Sequence, residues 1–208
     1  MAVVANKRSV MTMYSSARSV YSHRVRLVLA EKNITVEIVD VELGDLPEDL
    51  LDLNPYGNLP TLADRDLVLY ESGIIMQYLD ERFPHPPLLP VDPVSRARSR
   101  QLMYRVDLDW SLLAGRIGGK TGAEAGTARK QLAESLTASA PIFAAKPFFM
   151  CEELSLVDCC IVPLLWRLPM LGVKLPKQAQ SVLDYGERMF ARDAFKKSLS
   201  EFEREMRD

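Results

Sequence analysis

Residues Asn58 to Ser72, "NLPTLADRDLVLYES", decide how the first part of this chain folds. Two short apolar runs flank the turn Asp64–Asp66, which reads as a pair of adjacent strands. Downstream, "SGIIMQYLDERF" (Ser72–Phe83) carries the helical period, with Ser72 as the expected N-cap. Upstream, "SVMTMYS" (Ser9–Ser15) reads as a buried strand. "YSHRVRLVLAEKN" (Tyr21–Asn33) then sets Val25, Val28 and Leu29 on one helical face, and "TVEIVDVE" (Thr35–Glu42) alternates as a second strand. With a short helix at "PEDLLDL" (Pro47–Leu53), the order is βαβ followed by ββα. That order predicts a small mixed sheet with helices on its faces.

From Pro93 onward the strand signal disappears. Four long stretches with helical periodicity follow: Ser95–Ile117, Thr127–Phe143, Ser155–Leu171 and Gln180–Leu199. The second half is therefore expected to be all-helical. Between the halves lies "ERFPHPPLLPVDP" (Glu81–Pro93), whose prolines fix φ, remove backbone donors and stiffen a connector. The expected division is residues 1–83, a linker over 84–92, and a helical domain over 93–208.

Composition narrows the function. The 208 residues carry 26 Lys and Arg against 28 Asp and Glu, a formal charge of −2 with a pI near 5.8. No overall basic field is available to neutralise phosphates, so a role in gene expression would run through a protein partner rather than bare nucleic acid. The cysteines are Cys151, Cys159 and Cys160, read as reduced core residues. No apolar run approaches the ~20 residues of a membrane span, and the opening "MAVVANKRSV" is too short in apolar length for a signal peptide. A cytoplasmic protein is expected.

Two motifs have structural readings. "AGRIGGKTG" ends like a phosphate-binding loop, but Ala114 stands where that loop needs glycine and a helix precedes it, so the glycines read as a helix end and a loop. "SLVD" (Ser155–Asp158) reads as a capping box opening the third helical stretch, with Asp in place of the usual Glu.

The βαβ–ββα half with "NLPTL", "YES" opening the following helix, and an all-helical half behind resembles the cytosolic glutathione transferase fold. That fold is an α/β thioredoxin-like N-terminal domain plus an all-α C-terminal domain. The resemblance implies a cis bond before Pro60 and a Leu59 backbone that pairs with the glutathione cysteine. It also implies that Glu71 and Ser72 receive the γ-glutamyl group. In "YSSARSVYSHRVR" it places Ser19 where serine-type members hold their activating hydroxyl, while Tyr14 closes the first strand. No cysteine stands there, which argues against disulfide exchange at this turn. Ser19 equally suits a helix N-cap, and both readings stay open.

A narrower resemblance rests on "NKRSVMT", "YSHRVRLVLAEK", "YLDERFPHPPLLPVDPVSRARSR", "SLVDCCIVPLLWRLPMLG" and "FEREMR". Together these are similar to the stringent starvation protein A family, bacterial relatives of the same fold. The resemblance implies a non-catalytic homodimer that binds RNA polymerase holoenzyme through the primary sigma factor in starvation, stationary phase and acid stress. Pro84, His85 and Pro86 are then the partner-binding residues. Ser19, Leu59, Pro60, Glu71 and Ser72 become a vestigial glutathione pocket. No cofactor, metal, membrane or sequence-specific DNA contact is expected. Phe83, Leu88, Arg96, Arg98 and Arg100 are expected as exposed neighbours of the contact. The alternatives are a glutathione-dependent transferase using Ser19 or Tyr14, and a dimer cleft that takes a stress nucleotide or a second subunit type, as in some relatives.

Overall fold

β1 (Thr12–Ser15) is buried along its whole length, because it is flanked by strands on both sides and covered by helices. The computed structural model that shows this describes residues 10–42, 44–118 and 120–207. Ser9 and the "NKR" before it lie outside the described residues, as do Leu43, Gly119 and Asp208. After β1 come α1 (Val20–Glu31), β2 (Glu37–Asp40), α2 (Glu48–Leu53), β3 (Thr61–Asp64), β4 (Leu67–Tyr70) and α3 (Ser72–Arg82). The sheet order is β2-β1-β3-β4. β1 runs parallel to β2 and antiparallel to β3, and β4 is antiparallel to β3. The thioredoxin-like half is therefore the mixed sheet expected, with β2 and β4 at its more exposed edges.

The helical half holds α4 (Pro93–Val106), a π-type turn (Asp107–Ser111), α5 (Leu112–Ile117), α6 (Ala123–Ala138), α7 (Ala140–Ala145), α8 (Leu156–Arg167), α9 (Gln180–Phe190), α10 (Asp193–Ser198) and α11 (Glu201–Arg204). Asp92 caps α4 by accepting from Ser95 N at 2.8 Å, and Pro93 occupies the first turn. A proline there sacrifices only an amide that has no helical partner. Three expected helices are interrupted. The first passes through the π-type turn, the second breaks at Ser139 just before Pro141, and the fourth breaks at Ala191–Arg192.

The capping box at Ser155 and Asp158 is present. Asp158 accepts from Ser155 N and Phe149 N, each at 2.8 Å, and from the Tyr185 hydroxyl at 2.6 Å. Cys159 and Cys160 are core residues, whereas Cys151 is half-exposed beside the Phe148–Cys151 bridge, correcting its assignment to the core. α1 is the shared element of the two halves, packing against α3, α8 and α10. Val25 and Val28 are completely buried there, as their spacing predicts. No helix among the described residues is long and apolar enough to cross a membrane.

Candidate functional site

Proline segments have carbonyl acceptors but too few amides to bond one another, so their carbonyls need donors from elsewhere. Between α3 and α4 the chain runs Phe83-Pro84-His85-Pro86-Pro87, and Pro84, His85, Pro86 and Pro87 are all exposed. Lys32, the C-cap of α1, supplies the donors. Its Nζ donates to the Phe83 carbonyl at 2.7 Å and to the Pro86 carbonyl at 2.6 Å. It also pairs with Asp80 Oδ1 at 2.7 Å. The Asp80 carboxylate accepts in turn from Leu88 N at 2.8 Å and Leu89 N at 3.1 Å, the first amides after the prolines. Pro84 and His85 are thus bracketed by two bonded carbonyls, and the His85–Pro86 peptide is cis. Residues 84–86 form one fixed, solvent-facing unit.

Its expected neighbours divide. Arg98 and Arg100 are exposed, and Arg100 donates to Gln77 on α3 at 2.6 Å. Arg96 is half-buried, with Nε on the Pro90 carbonyl at 2.9 Å. Phe83 is half-buried against the core. Leu88 is buried at 3% exposure, correcting its expected place on the surface. Its amide is held by Asp80, and its carbonyl accepts from Leu156 N at 2.9 Å. The linker is therefore exposed through Pro87 and then turns into the core.

The residues expected to form a glutathione-type pocket follow or precede strand ends that the register brings side by side. Tyr14 pairs with Thr61, and Thr61 pairs with Tyr70. The end of β1, the start of β3 and the end of β4 therefore share one edge of the sheet. That edge carries the β1–α1 turn with Ser19, the Leu59–Pro60 peptide and the Glu71–Ser72 pair. Leu59–Pro60 is cis. Ser19 caps α1, its Oγ accepting from Ser22 N at 3.3 Å. Ser72 is not the cap of α3, contrary to expectation. The cap is Glu71, at φ 71° and without a side-chain cap bond, and Ser72 is the first helical residue. Glu71 is held in this positive-φ position by its side chain, which accepts from Asn58 Nδ2 at 3.0 Å. Tyr14 is buried and donates its hydroxyl to Asp49 at 2.6 Å, which removes it from an open thiol site.

A buried charge network, with no marker in the sequence, fixes the β1–α1 turn from behind. Arg26 donates to Ser15 Oγ at 2.6 Å and to Glu203 Oε2 at 2.7 Å. Glu203, fully buried on α11, also pairs with Arg167 of α8. Arg167 donates to His23 Nδ1 at 2.9 Å, so the proton sits on Nε2, which donates to Ser198 Oγ at 3.0 Å. Burial, together with the Arg167 and Arg26 charges, holds the His23 pKa well below its usual value. Glu203 lies 3.4 Å from the ring, but its carboxylate is already committed to two guanidiniums. The C-terminal segment adds Ser200 Oγ on the Ala17 carbonyl at 3.2 Å and the Phe202 ring under Arg18 at 4.2 Å. Among the described residues no group of three His, Cys, Asp or Glu side chains gathers that could hold a metal.

Residues 13–87 match the family model for the glutathione S-transferase N-terminal domain, and residues 103–193 match that for the C-terminal domain. Among solved structures, a tau-class glutathione S-transferase from mango superposes with a TM-score of 0.82 at 28% identity, covering 96% of each chain. The maleylacetoacetate isomerase of Anaeromyxobacter dehalogenans gives a TM-score of 0.72 at 28% identity, covering 91% of this chain and 90% of that one. In sequence, the chain is 52% identical over 203 residues to a stringent starvation protein A homolog of Coxiella burnetii, covering 97% of both chains. It is 51% identical to the stringent starvation protein A homolog of Haemophilus influenzae, covering 97% of this chain and 95% of the relative. With the transferase fold complete and this identity running end to end, the chain belongs to the stringent starvation protein A family, a branch of the glutathione S-transferase-like superfamily.

Proposed function

We propose that this protein is a non-catalytic, cytoplasmic homodimer that binds RNA polymerase holoenzyme through the primary sigma factor and redirects transcription in starvation, stationary phase and acid stress. The observation that carries this reading is the exposed Pro84–His85–Pro86 unit, held at its ends by Lys32 and Asp80. A pre-ordered segment loses little conformational entropy on docking, where each mobile side chain would cost about 0.5–1.5 kcal/mol. His85 offers a donor and an acceptor at its two ring nitrogens. Dimerisation is supported by exposed apolar residues on the α3–α4 side, where Ile74 and Tyr104 are 52% and 63% exposed. The division at residues 83 and 93 into sheet domain, linker and helical domain is part of the same proposal. The test is gel filtration with holoenzyme and with core polymerase. Co-elution that requires the primary sigma factor supports the reading, and failure to co-elute with holoenzyme at low and physiological salt contradicts it.

A second reading, a glutathione-dependent transferase, is favoured by one specific arrangement. Ser19, the Leu59–Pro60 peptide, Glu71 and Ser72 all lie at one sheet edge. In the scaffold reading they are a relic. Calorimetry at millimolar glutathione decides between them, and the absence of heat removes the transferase reading.

A further inference from the structure

We infer that Lys32 and Asp80 are the positioning residues of the partner surface, acting through the backbone of residues 83–89 rather than by touching the partner. This rests on the holoenzyme reading above and assigns a positioning role in partner binding to the two residues that hold its contact segment.

The geometry is that of a two-part clamp. The Lys32 side chain is completely buried and that of Asp80 is 6% exposed. An ammonium has three donors, and all three of Lys32's are used, on Phe83 O, Pro86 O and Asp80 Oδ1. Phe83 O and Pro86 O lie on either side of the Pro84–His85 pair, and the prolines at 84, 86 and 87 provide no amide to bond either. Asp80 performs the complementary task, binding the first two amides after the prolines. Its two oxygens serve the lysine and both amides, so loss of either residue leaves the other's charge buried without its counter-ion. Lys32 also stands at the C-terminus of α1, where the helix dipole favours a cation.

A purely structural role makes a different demand. A buried ion pair can be replaced by apolar residues with little loss of stability, whereas removing one partner leaves an uncompensated charge. The apolar pair removes the unpaired charge but supplies neither the donors nor the carboxylate, so it relieves the charge without restoring the clamp. The experiment therefore uses Lys32→Met, the double variant Lys32→Met with Asp80→Leu, and His85→Ala, all as full chains titrated with sigma-containing holoenzyme. Lys32→Met is expected to weaken binding about tenfold, the equivalent of about one to three side chains ordered on docking. The double variant leaves the Leu88 and Leu89 amides without their acceptor, so it is expected to melt below the wild type, no lower than Lys32→Met, and to bind as weakly as Lys32→Met. Lys32→Met combined with His85→Ala is expected to bind no worse than the weaker of the two alone, since both act through one segment. Double-variant binding that recovers together with its melting temperature overturns the inference, as does a fully additive loss with His85→Ala. If the wild type itself fails to bind holoenzyme, the functional reading falls and this inference with it. Wild-type binding that Lys32→Met leaves intact overturns the clamp alone.

Discussion

Arg26 and Glu203, 177 positions apart in the chain, meet at 2.7 Å with both side chains almost wholly removed from solvent. This pair ties α1 of the sheet half to the last helix of the helical half, and Arg167 shares the same carboxylate. Glu203→Gln leaves two buried guanidiniums facing a neutral amide. Breaking a buried pair of this kind costs about 3–5 kcal/mol. The expected outcome is a loss of that size in urea unfolding, with both halves affected because α1 packs on each.

The same network makes stability depend on pH through His23. Its pKa is lowered by burial and by Arg167 and Arg26, so the unfolded chain takes up the proton more readily than the folded one. The groups facing the ring are Arg167, Arg26, Glu203 and Ser198, with the Phe195 ring tilted against it at 5.3 Å. Stability from this residue is complete above the unfolded value of about 6.5 and is lost as the pH falls below it toward the folded pKa. Urea midpoints measured across this range should fall on the acid side. In a His23→Gln variant the part of that slope below about pH 6.5 should disappear.

Asp158 serves as cap, loop anchor and core acceptor at once. Asp158→Ala removes the acceptor for Ser155 N, Phe149 N and the Tyr185 hydroxyl, each of which costs about 1–3 kcal/mol when buried without a partner. A loss of at least about 3 kcal/mol is expected on these figures, whereas Tyr185→Phe should cost less, the net value of one bond to a charged group, about 1.5–3 kcal/mol. Chemical denaturation of the two variants side by side checks the ratio.

Cysteine chemistry follows from burial. Cys159 is pushed well above the usual thiol value, and Cys160 to about 11, in both cases first by burial. Thiolates are the reactive form. Native protein at neutral pH should therefore alkylate at Cys151 alone, with all three sites labelled only in denaturant. Peptide mass mapping reads the outcome directly.

The sheet half was legible because its signals are local. The "NLPTL" strand, the Asp64–Asp66 turn and the apolar face of α1 each depend on residues a few positions apart. Ser72 was misplaced by one position because the start of α3 is set by the backbone of Glu71, held by Asn58, and not by a side-chain cap. Leu88 was misread because a proline-rich linker reads as exposed, whereas Asp80 draws its amide inward. His23, Arg24 and Arg26 carry the polar pattern of a solvated helix face, yet all are buried. Their partners Asp107, Ser111, Ser198 and Glu203 come from far along the chain, so no window on α1 could reveal them. Lys32 left one faint signal, since a run of prolines must borrow its donors from somewhere.

On the proposed function, residues 84–86 form the contact with RNA polymerase. The most direct measurement is the affinity of sigma-containing holoenzyme for the wild type and for the variant with Pro84, His85 and Pro86 all changed to Ala, after both are shown to be folded dimers of equal stability. The variant is expected to lose at least about tenfold in affinity, as an interface centre does when its anchors are truncated. Equal affinity of the two proteins would contradict it and place the contact elsewhere on the surface.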